Sequence, residues 1–150
     1  MIDRFRGEHF FLSNFSQHSV EFEGVVYATA EHAYQAAKSV NPLVRHSFTL
    51  DADPAHAKRM GREIDLREDW ESVKLGVMEV ILRSKYERHS GLRDSLLQTG
   101  NRPLVERNHW GDTFWGICNG KGENHLGKLL ERLRFEFRCE ILNAEEDWEI

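Results

Sequence analysis

Near the start of the chain, the hydrophobic pattern is that of two short strands. Residues 20–22 and 25–27 are rich in valine and aromatic side chains, and Glu23-Gly24 separates them. A two-residue connection that contains glycine is typical of a β-hairpin. The pattern therefore predicts a hairpin over residues 20–27.

Farther along the chain, apolar residues recur at helical spacing. Thr29 is expected to cap a helix over residues 30–40, which Asn41-Pro42 would end. Asp53-Pro54 has the sequence of a second helix start. The longest helix is predicted over about residues 69–89 from Trp70, Val73, Val77, Ile81 and Tyr86.

These elements define the expected fold. Two further helices are predicted, one that Gly100 stops and one that follows Asn124. Since no repeat, low-complexity block or Pro/Gly-rich linker marks a boundary, residues 1–150 are expected to form a single domain. Its fold class is α+β, mainly α-helical with a small N-terminal β-hairpin, and residues 138–150 are expected to form an acidic, solvated tail.

Charge and composition narrow the classes of ligand and compartment. A net charge of −5 disfavours a broad basic face for nucleic acid, so a nucleotide-sized ligand is expected. The chain has no apolar run that could span a bilayer and no signal-peptide core at its start, which predicts a cytoplasmic protein with no membrane partner. Metal-binding motifs are absent and Cys118 and Cys139 lack metal-type spacing, so no metal and no cofactor is expected. Oligomeric state is left open.

A polar stripe lies on the first predicted helix. Glu31, Gln35 and Lys38 are spaced at i, i+4 and i+7, which places them on one helix face. Small neighbours such as Ala33 would let other elements approach, so the polar stripe could line a pocket; a solvated helix face is the commoner origin of such a pattern. His32 is a second candidate, with a hydrogen-bonded structural role as its alternative.

The loop over residues 108–116 is a second candidate region. Aromatic rings such as that of Trp115 stack on bases at roughly 1–3 kcal/mol each. Gly116 would let the backbone approach a ligand, and Asp112 supplies a carboxylate. A loop that its aromatic side chains simply anchor is the alternative.

Residues 120–124 form a glycine-rich turn before the last predicted helix. Backbone N–H groups at this helix start could bind a phosphate, together with Lys121 and Asn124. The stretch lacks the Walker pattern, which argues against a P-loop NTPase. A plain glycine turn with Asn124 as the helix cap is the alternative.

Read together, these segments resemble a known family. The matching strings include Glu31-His32-Ala33-Tyr34-Gln35-Ala36-Ala37-Lys38 and the Asp112-x-x-Trp115-Gly116 element. Further matches, in chain order, are Phe5-Arg6-Gly7, Leu12-Ser13-Asn14-Phe15, Met60-Gly61-Arg62, Trp70 with Lys74 and Met78, Lys85-Tyr86, Leu104-Val105-Glu106 and Gly120-x-Gly122-x-Asn124. Their joint order and spacing resembles the NADAR family over about residues 5–137.

Members of that family are associated with the cleavage of N-glycosidic bonds. Some act on early phosphorylated intermediates of riboflavin synthesis, and others on ADP-ribose attached to guanine in nucleic acid. The resemblance therefore implies an N-glycosidase that cuts the bond between a base-like amine and a phosphorylated ribose. Its expected partner is a small phosphoribosyl or ADP-ribosyl substrate, or ADP-ribosylated nucleic acid. A non-catalytic module that binds ADP-ribose or NAD is the alternative.

Cleavage of such a bond builds positive charge on the ribose and negative charge on the leaving amine. Glu31 and Asp112 are the expected catalytic carboxylates, either in direct hydrolysis or with Lys38 as a nucleophile that holds the ribose as an imine. The polar stripe is expected to face the Asp112–Trp115 loop. The expected substrate-binding residues are Arg6, Gly7, Asn14, Phe15, His32, Gln35, Trp70, Trp115, Gly116, Lys121 and Asn124.

Overall fold

The computed structural model describes residues 1–148, and about 52% of the chain is helical. The chain divides into two compact units: Ser13–His89, here called the central unit, and Met1–Leu12 with Ser90–Ile150, here called the terminal unit. The α+β, mainly helical fold class is confirmed, and a single domain over residues 1–150 stays a prediction. None of the helices within residues 1–148 combines the length and apolar character needed to cross a membrane.

The predicted hairpin is present in the central unit. Strand β1 (Val20–Phe22) pairs antiparallel with β2 (Val25–Tyr27). Glu23 and Gly24 connect them with φ angles of 46° and 83°, and a type I′ turn requires positive φ at both of its central residues. Val20, Phe22 and Tyr27 are buried, so the hairpin contributes side chains to the core of this unit.

Helix α1 (Ala30–Ala36) is shorter than its sequence predicts. Thr29 caps it as expected, but the predicted end at residue 40 is wrong. Proline at position 42 has no N–H that could bond the carbonyl of Lys38 within a helix, and this carbonyl instead accepts from the N–H of Arg67 at 2.8 Å. Lys38 therefore lies in the turn that follows the helix.

Asn41-Pro42 also begins a helix, which the sequence analysis missed. In α2 (Pro42–Ser47), the Asn41 side chain accepts from the backbone N–H two residues farther on. The Asp53 side chain makes the same contact before α3 (Pro54–Met60), which was predicted. The two pairs are one kind of start signal, a capping side chain followed by proline at the first helical position.

The long predicted helix is α4 (Trp70–Arg88), and it organises the core of the central unit. It packs against β1 and α1, and α3 packs against α1. All seven residues of α1 are buried as a result. A helix that carries polar side chains is thus enclosed within this unit.

The terminal unit contains the two remaining predicted helices. Helix α5 (Ser90–Gln98) ends before Gly100, whose φ is 69°, and α6 (His125–Trp148) follows Asn124. Further elements that were not predicted are a 3₁₀ helix (Gly7–Leu12) and a parallel pair of short strands, β3 (Arg107–Asn108) and β4 (Ile117–Cys118).

The expected C-terminal tail is part of α6. Residues 141–146 are exposed, as predicted, but they are helical. The chain has no glycine or proline after Gly127 and is rich there in leucine, glutamate and arginine, which are strong helix formers. The acidic tail is therefore a continuation of α6, and its last two residues, Glu149 and Ile150, lie outside the described part of the chain.

Candidate active site

The polar stripe on α1 is buried. Glu31 is 7% exposed and Gln35 is 4% exposed, so the solvated-face alternative is wrong for these two residues. Nε2 of Gln35 donates to Oε1 of Glu31 at 2.8 Å, while Oε1 of Gln35 has no hydrogen-bond partner among the described residues. The amide sets the orientation of this buried carboxylate before a ligand binds. Such an oriented carboxylate is suited to stabilising positive charge in a reaction.

Lys38 lies at the C-terminal end of the stripe and is half-buried. The pKa of its amine is lowered, and burial is the main cause. The charge of Glu31 raises this pKa, whereas the charges of nearby cations, Arg62 first among them, lower it further. A lowered pKa increases the fraction of neutral amine near pH 7, which is the nucleophilic form.

One aromatic ring adjoins the Lys38 amine, and a second ring packs on the first. Nζ of Lys38 lies 5.5 Å from the ring centroid of Tyr34, and the Tyr34 ring lies 5.2 Å from that of Trp70. Trp70 is 4% exposed and occupies the first position of α4. It therefore packs beside the stripe, and its predicted contact with substrate stays a prediction.

The loop of Asn14 and Phe15 adjoins the N-terminal end of α1. The carbonyl of Asn14 accepts from the N–H of Glu31 at 3.1 Å. Oδ1 of Asn14 is buried without a hydrogen-bond partner among the described residues, and Nζ of Lys58 lies 6.0 Å from the Phe15 ring centroid. The central unit thus brings Asn14, Phe15, Glu31, Gln35, Lys38 and Trp70 into one region.

His32 has polar neighbours on both sides of its ring, although its buried Nε2 has no hydrogen-bond partner among the described residues. Nδ1 lies 2.7 Å from Oγ1 of Thr29, and Nε2 lies 3.5 Å from Oδ1 of Asp51, which also contacts Nδ1 of His56 at 2.6 Å. Burial is the main cause that lowers the pKa of His32, and Asp51 opposes it. This environment favours the structural alternative for His32 over substrate contact.

Lys85 is a buried charged group that the sequence analysis named only within a family string and gave no role. It is fully buried on α4, and its Nζ donates to the carbonyl of Ser13 at 3.0 Å, next to the loop of Asn14. Burial lowers the pKa of its amine to about 7. The available signal was its position, three and four residues after Leu82 and Ile81 on the apolar face of α4.

Lys85→Met is expected to flatten the pH dependence of stability. Because the pKa falls from 10.5 in the unfolded chain to about 7 in the fold, the unfolded chain binds about one more proton between these values. This group should raise the free energy of unfolding by about 1.4 kcal/mol per pH unit over that range. Urea unfolding of the wild type and the variant from about pH 8 to 9.5 measures the difference in slope.

Lys128→Met, a change of an exposed lysine on α6, is the matched control and should keep the wild-type slope. Equal slopes in the wild type and in Lys85→Met would contradict the effect of burial on Lys85.

In the terminal unit, Asp112 organises its own loop. Its Oδ1 accepts from the backbone N–H groups of Phe114 at 3.1 Å and Trp115 at 2.9 Å. Asn108 holds the backbone of Asp112 through both atoms of its amide. These contacts support the anchored-loop alternative for Oδ1, and a catalytic role of Asp112 stays a prediction, as does the predicted approach of this loop to the polar stripe.

Trp115 and Gly116 are held by packing within the same unit. The Trp115 ring lies 4.8 Å from that of Phe114. A Cβ at Gly116 would lie 2.1 Å from the carbonyl oxygen of Glu106, so the absence of a side chain there allows two backbone segments to approach. Close approach of a ligand to Gly116 is not required to explain this glycine.

Asn124 does not cap α6 with its side chain. Its φ is 53°, its Nδ2 donates to the carbonyl of Leu104 at 2.9 Å, and its Oδ1 accepts from the N–H of Glu106 at 2.9 Å. The alternative of a side-chain cap is therefore wrong, because this amide bridges to an earlier segment of the unit. Of the other predicted phosphate ligands, Lys121 and Arg6 are exposed, as is Gly7, which begins the 3₁₀ helix with a φ of 57°.

The NADAR domain, as a sequence family, matches residues 4–138. This chain belongs to the NADAR domain family. The match confirms the resemblance and spans both units. Among residues 1–148 no group of three side chains suited to metal binding comes together in this NADAR domain.

Three relatives are similar to this chain over most of its length. The NADAR chain is 41% identical over 131 residues to N-glycosidase YbiA of Shigella flexneri serotype 5b, covering 85% of this chain and 81% of that protein. It is 35% identical to riboflavin biosynthesis protein VVA0006 of Vibrio vulnificus, covering 87% of this chain and 36% of that protein. The NMR structure of the E. coli protein YbiA has a TM-score of 0.83 and 37% identity, over 95% of this chain and 89% of that one.

Proposed function

We propose that this protein is an N-glycosidase that hydrolyses the bond between a base-like amine and a phosphorylated ribose. The observation that carries the proposal is the pair at the two ends of the polar stripe. Glu31 is a buried carboxylate held by Gln35, and Lys38 is an amine whose pKa is lowered chiefly by burial. The naming of the Shigella relative as an N-glycosidase supports the same reaction.

The charges of the reaction match this pair. As the C1′–N bond breaks, positive charge grows on the ribose, and an oriented carboxylate such as that of Glu31 stabilises it. The electron pair of the broken bond stays with the leaving amine, which must take up a proton. Oδ1 of Asn14, buried without a partner, can accept from a ribose hydroxyl, which would remove the cost of leaving that atom unsatisfied.

The lowered pKa of Lys38 favours the covalent route. Neutral Nζ attacks C1′, the C1′–N bond to the base breaks, and the proton released by the amine passes through Glu31 to the leaving nitrogen. The sugar ring then opens at the C1′–O4′ bond to give an imine. Water adds to the imine and releases the ribose phosphate, which regenerates Lys38.

The cations around Lys38 are suited to the phosphate of the substrate. Arg62, Lys58 and Lys74 are close enough to the Lys38 amine for their charges to lower its pKa, and Arg62 lies two residues after the end of α3. Arginine binds phosphate oxygens with paired, charge-assisted hydrogen bonds. We therefore assign the phosphate to this cation group, with Arg62 as its main ligand.

Arg62→Gln is expected to raise KM about tenfold, because a lost charge-assisted hydrogen bond costs about 1.5 kcal/mol. The same change removes a charge that lowers the Lys38 pKa, so that pKa should rise and the rate at neutral pH should fall. Steady-state kinetics against pH measures both effects.

Arg59→Gln is the matched control, since Arg59 is an exposed arginine on α3, three residues before Arg62. It should keep the wild-type KM. An unchanged KM in Arg62→Gln would contradict the assignment of the phosphate to this cation group.

For the identity of the substrate, we favour a ribosylaminopyrimidine phosphate, the class to which riboflavin intermediates belong, because the Vibrio relative is named a riboflavin biosynthesis protein. ADP-ribose linked to guanine, free or in nucleic acid, is the second substrate to test. Incubation of the protein with each compound, followed by measurement of released sugar, decides between them. Tight binding without release of sugar from either would support a non-catalytic module.

We also propose that the protein acts in the cytoplasm, where the free thiols of Cys118 and Cys139 stay reduced.

A further inference from the structure

Gly61, the residue that directly follows α3, makes a close contact with the polar stripe. Its φ of −62° and ψ of −18° are ordinary helical values, so its backbone conformation does not require glycine. The lack of space at this position does require glycine, because a Cβ there would lie 1.8 Å from Oε1 of Gln35 and 2.6 Å from its Cδ. The absence of a side chain at Gly61 thus makes room for the Gln35 amide.

The same amide holds Glu31. Nε2 of Gln35 donates to Oε1 of Glu31 at 2.8 Å, while the other end of the planar amide lies against Gly61. Because Cδ itself would be too close to an added Cβ, rotation of the amide about its last bond would not relieve the clash. The amide would have to move to another rotamer, away from Glu31.

We propose that Gly61 is a positioning residue of the active site, whose missing side chain lets Gln35 hold the carboxylate of Glu31 in its reactive orientation. The proposal rests on the proposed function for the role of Glu31, but the contact itself does not. A carboxylate that loses its orienting donor can shift by about 1 Å, which is enough to cost roughly a hundredfold in rate.

Gly61→Ala tests the proposal with the smallest change available. The clash involves the end of a flexible side chain, so the variant is expected to fold. Its kcat should fall roughly thirtyfold to a hundredfold, with KM within about twofold of the wild type, since the change alters the orientation of Glu31 and leaves the phosphate ligands in place.

Gly76→Ala is the matched control. Gly76 lies within α4, and apart from its chain neighbours and the nearby backbone of its own helix no atom lies within 4 Å of a Cβ built there. This variant makes the same chemical change in a helix and should keep full activity. A wild-type kcat in Gly61→Ala would overturn the proposal.

A double-variant cycle separates positioning from general damage. Gln35→Ala should lower kcat by the same factor as Gly61→Ala, and adding Gly61→Ala to it should change kcat by no more than about twofold, because the clashing group is gone. Independent, multiplying losses would overturn the proposal. Full activity of Gln35→Ala would also overturn it, whether or not Gly61→Ala folds.

A readout without substrate distinguishes this proposal from the proposed function. In ¹⁵N NMR spectra, the side-chain amide protons of Gln35, identified by their loss in Gln35→Ala, should exchange slowly in the wild type and in Gly76→Ala. In Gly61→Ala they should shift and exchange faster. If the Gln35 signals change in this way but the wild type cleaves no N-glycosidic bond, the proposed function fails and the contact between Gly61 and Gln35 stands. If the wild type is active and the Gln35 signals are unchanged in Gly61→Ala, the positioning role of Gly61 fails.

Discussion

Glu31→Gln is expected to lower kcat by about three orders of magnitude and to leave the fold intact. Glutamine keeps the shape of glutamate and can still accept the hydrogen bond that Gln35 donates, so only the negative charge is lost. Without that charge, the positive charge that develops on the ribose is not stabilised. Steady-state kinetics on the cleaved substrate and urea unfolding measure the two parts of this result.

The matched control is Glu21→Gln, which makes the same change at an exposed glutamate on β1. It should retain wild-type kinetics. Turnover by Glu31→Gln at the wild-type rate would refute the role of Glu31 and, with it, the main support for the proposed reaction.

Sodium borohydride is expected to trap a covalent adduct between the wild-type protein and the ribose phosphate. Reduction of an imine at Lys38 gives a stable secondary amine, which mass spectrometry of peptides locates. Lys38→Met should form no adduct and lose at least about a hundredfold in kcat, because the nucleophile is absent.

Lys128→Met serves as the control, since Lys128 is exposed on α6, and it should still give the adduct. Glu31→Gln should form the adduct far more slowly than the wild type, because the step that forms it requires the negative charge of Glu31. An active wild-type enzyme that yields no adduct would favour direct hydrolysis by water and refute the covalent route.

For some predicted site residues, the local sequence fitted both a functional role and an ordinary structural role and could not decide between them. For Glu31 and Gln35, spacing placed the side chains on one helix face but did not say whether that face was covered. The packing of α3 and α4 against α1 buries it. For Asn124, the sequence pattern of a helix cap was present, yet a contact with Leu104, twenty residues earlier, uses the side chain instead.

Lys85 shows the opposite case, a residue to which sequence reasoning gave no role. Its neighbours on α4, Ile81 and Leu82, are apolar and buried, and a lysine at that spacing usually extends its amine to solvent. The carbonyl of Ser13, far away along the chain, provides a partner that keeps the amine inside. Such a partner is visible only after the chain has folded.

By itself, the sequence determined the family, the hairpin and most helices of this protein, because turns, caps and hydrophobic spacing act between residues that are close along the chain. It also determined which residues share the stripe of α1. Only the tertiary structure decided that Glu31 and Gln35 are buried, that Lys38 follows the helix in a turn, and that Gly61 leaves room for the amide that holds Glu31. These features arise from contacts between distant segments, whose closeness no local pattern encodes.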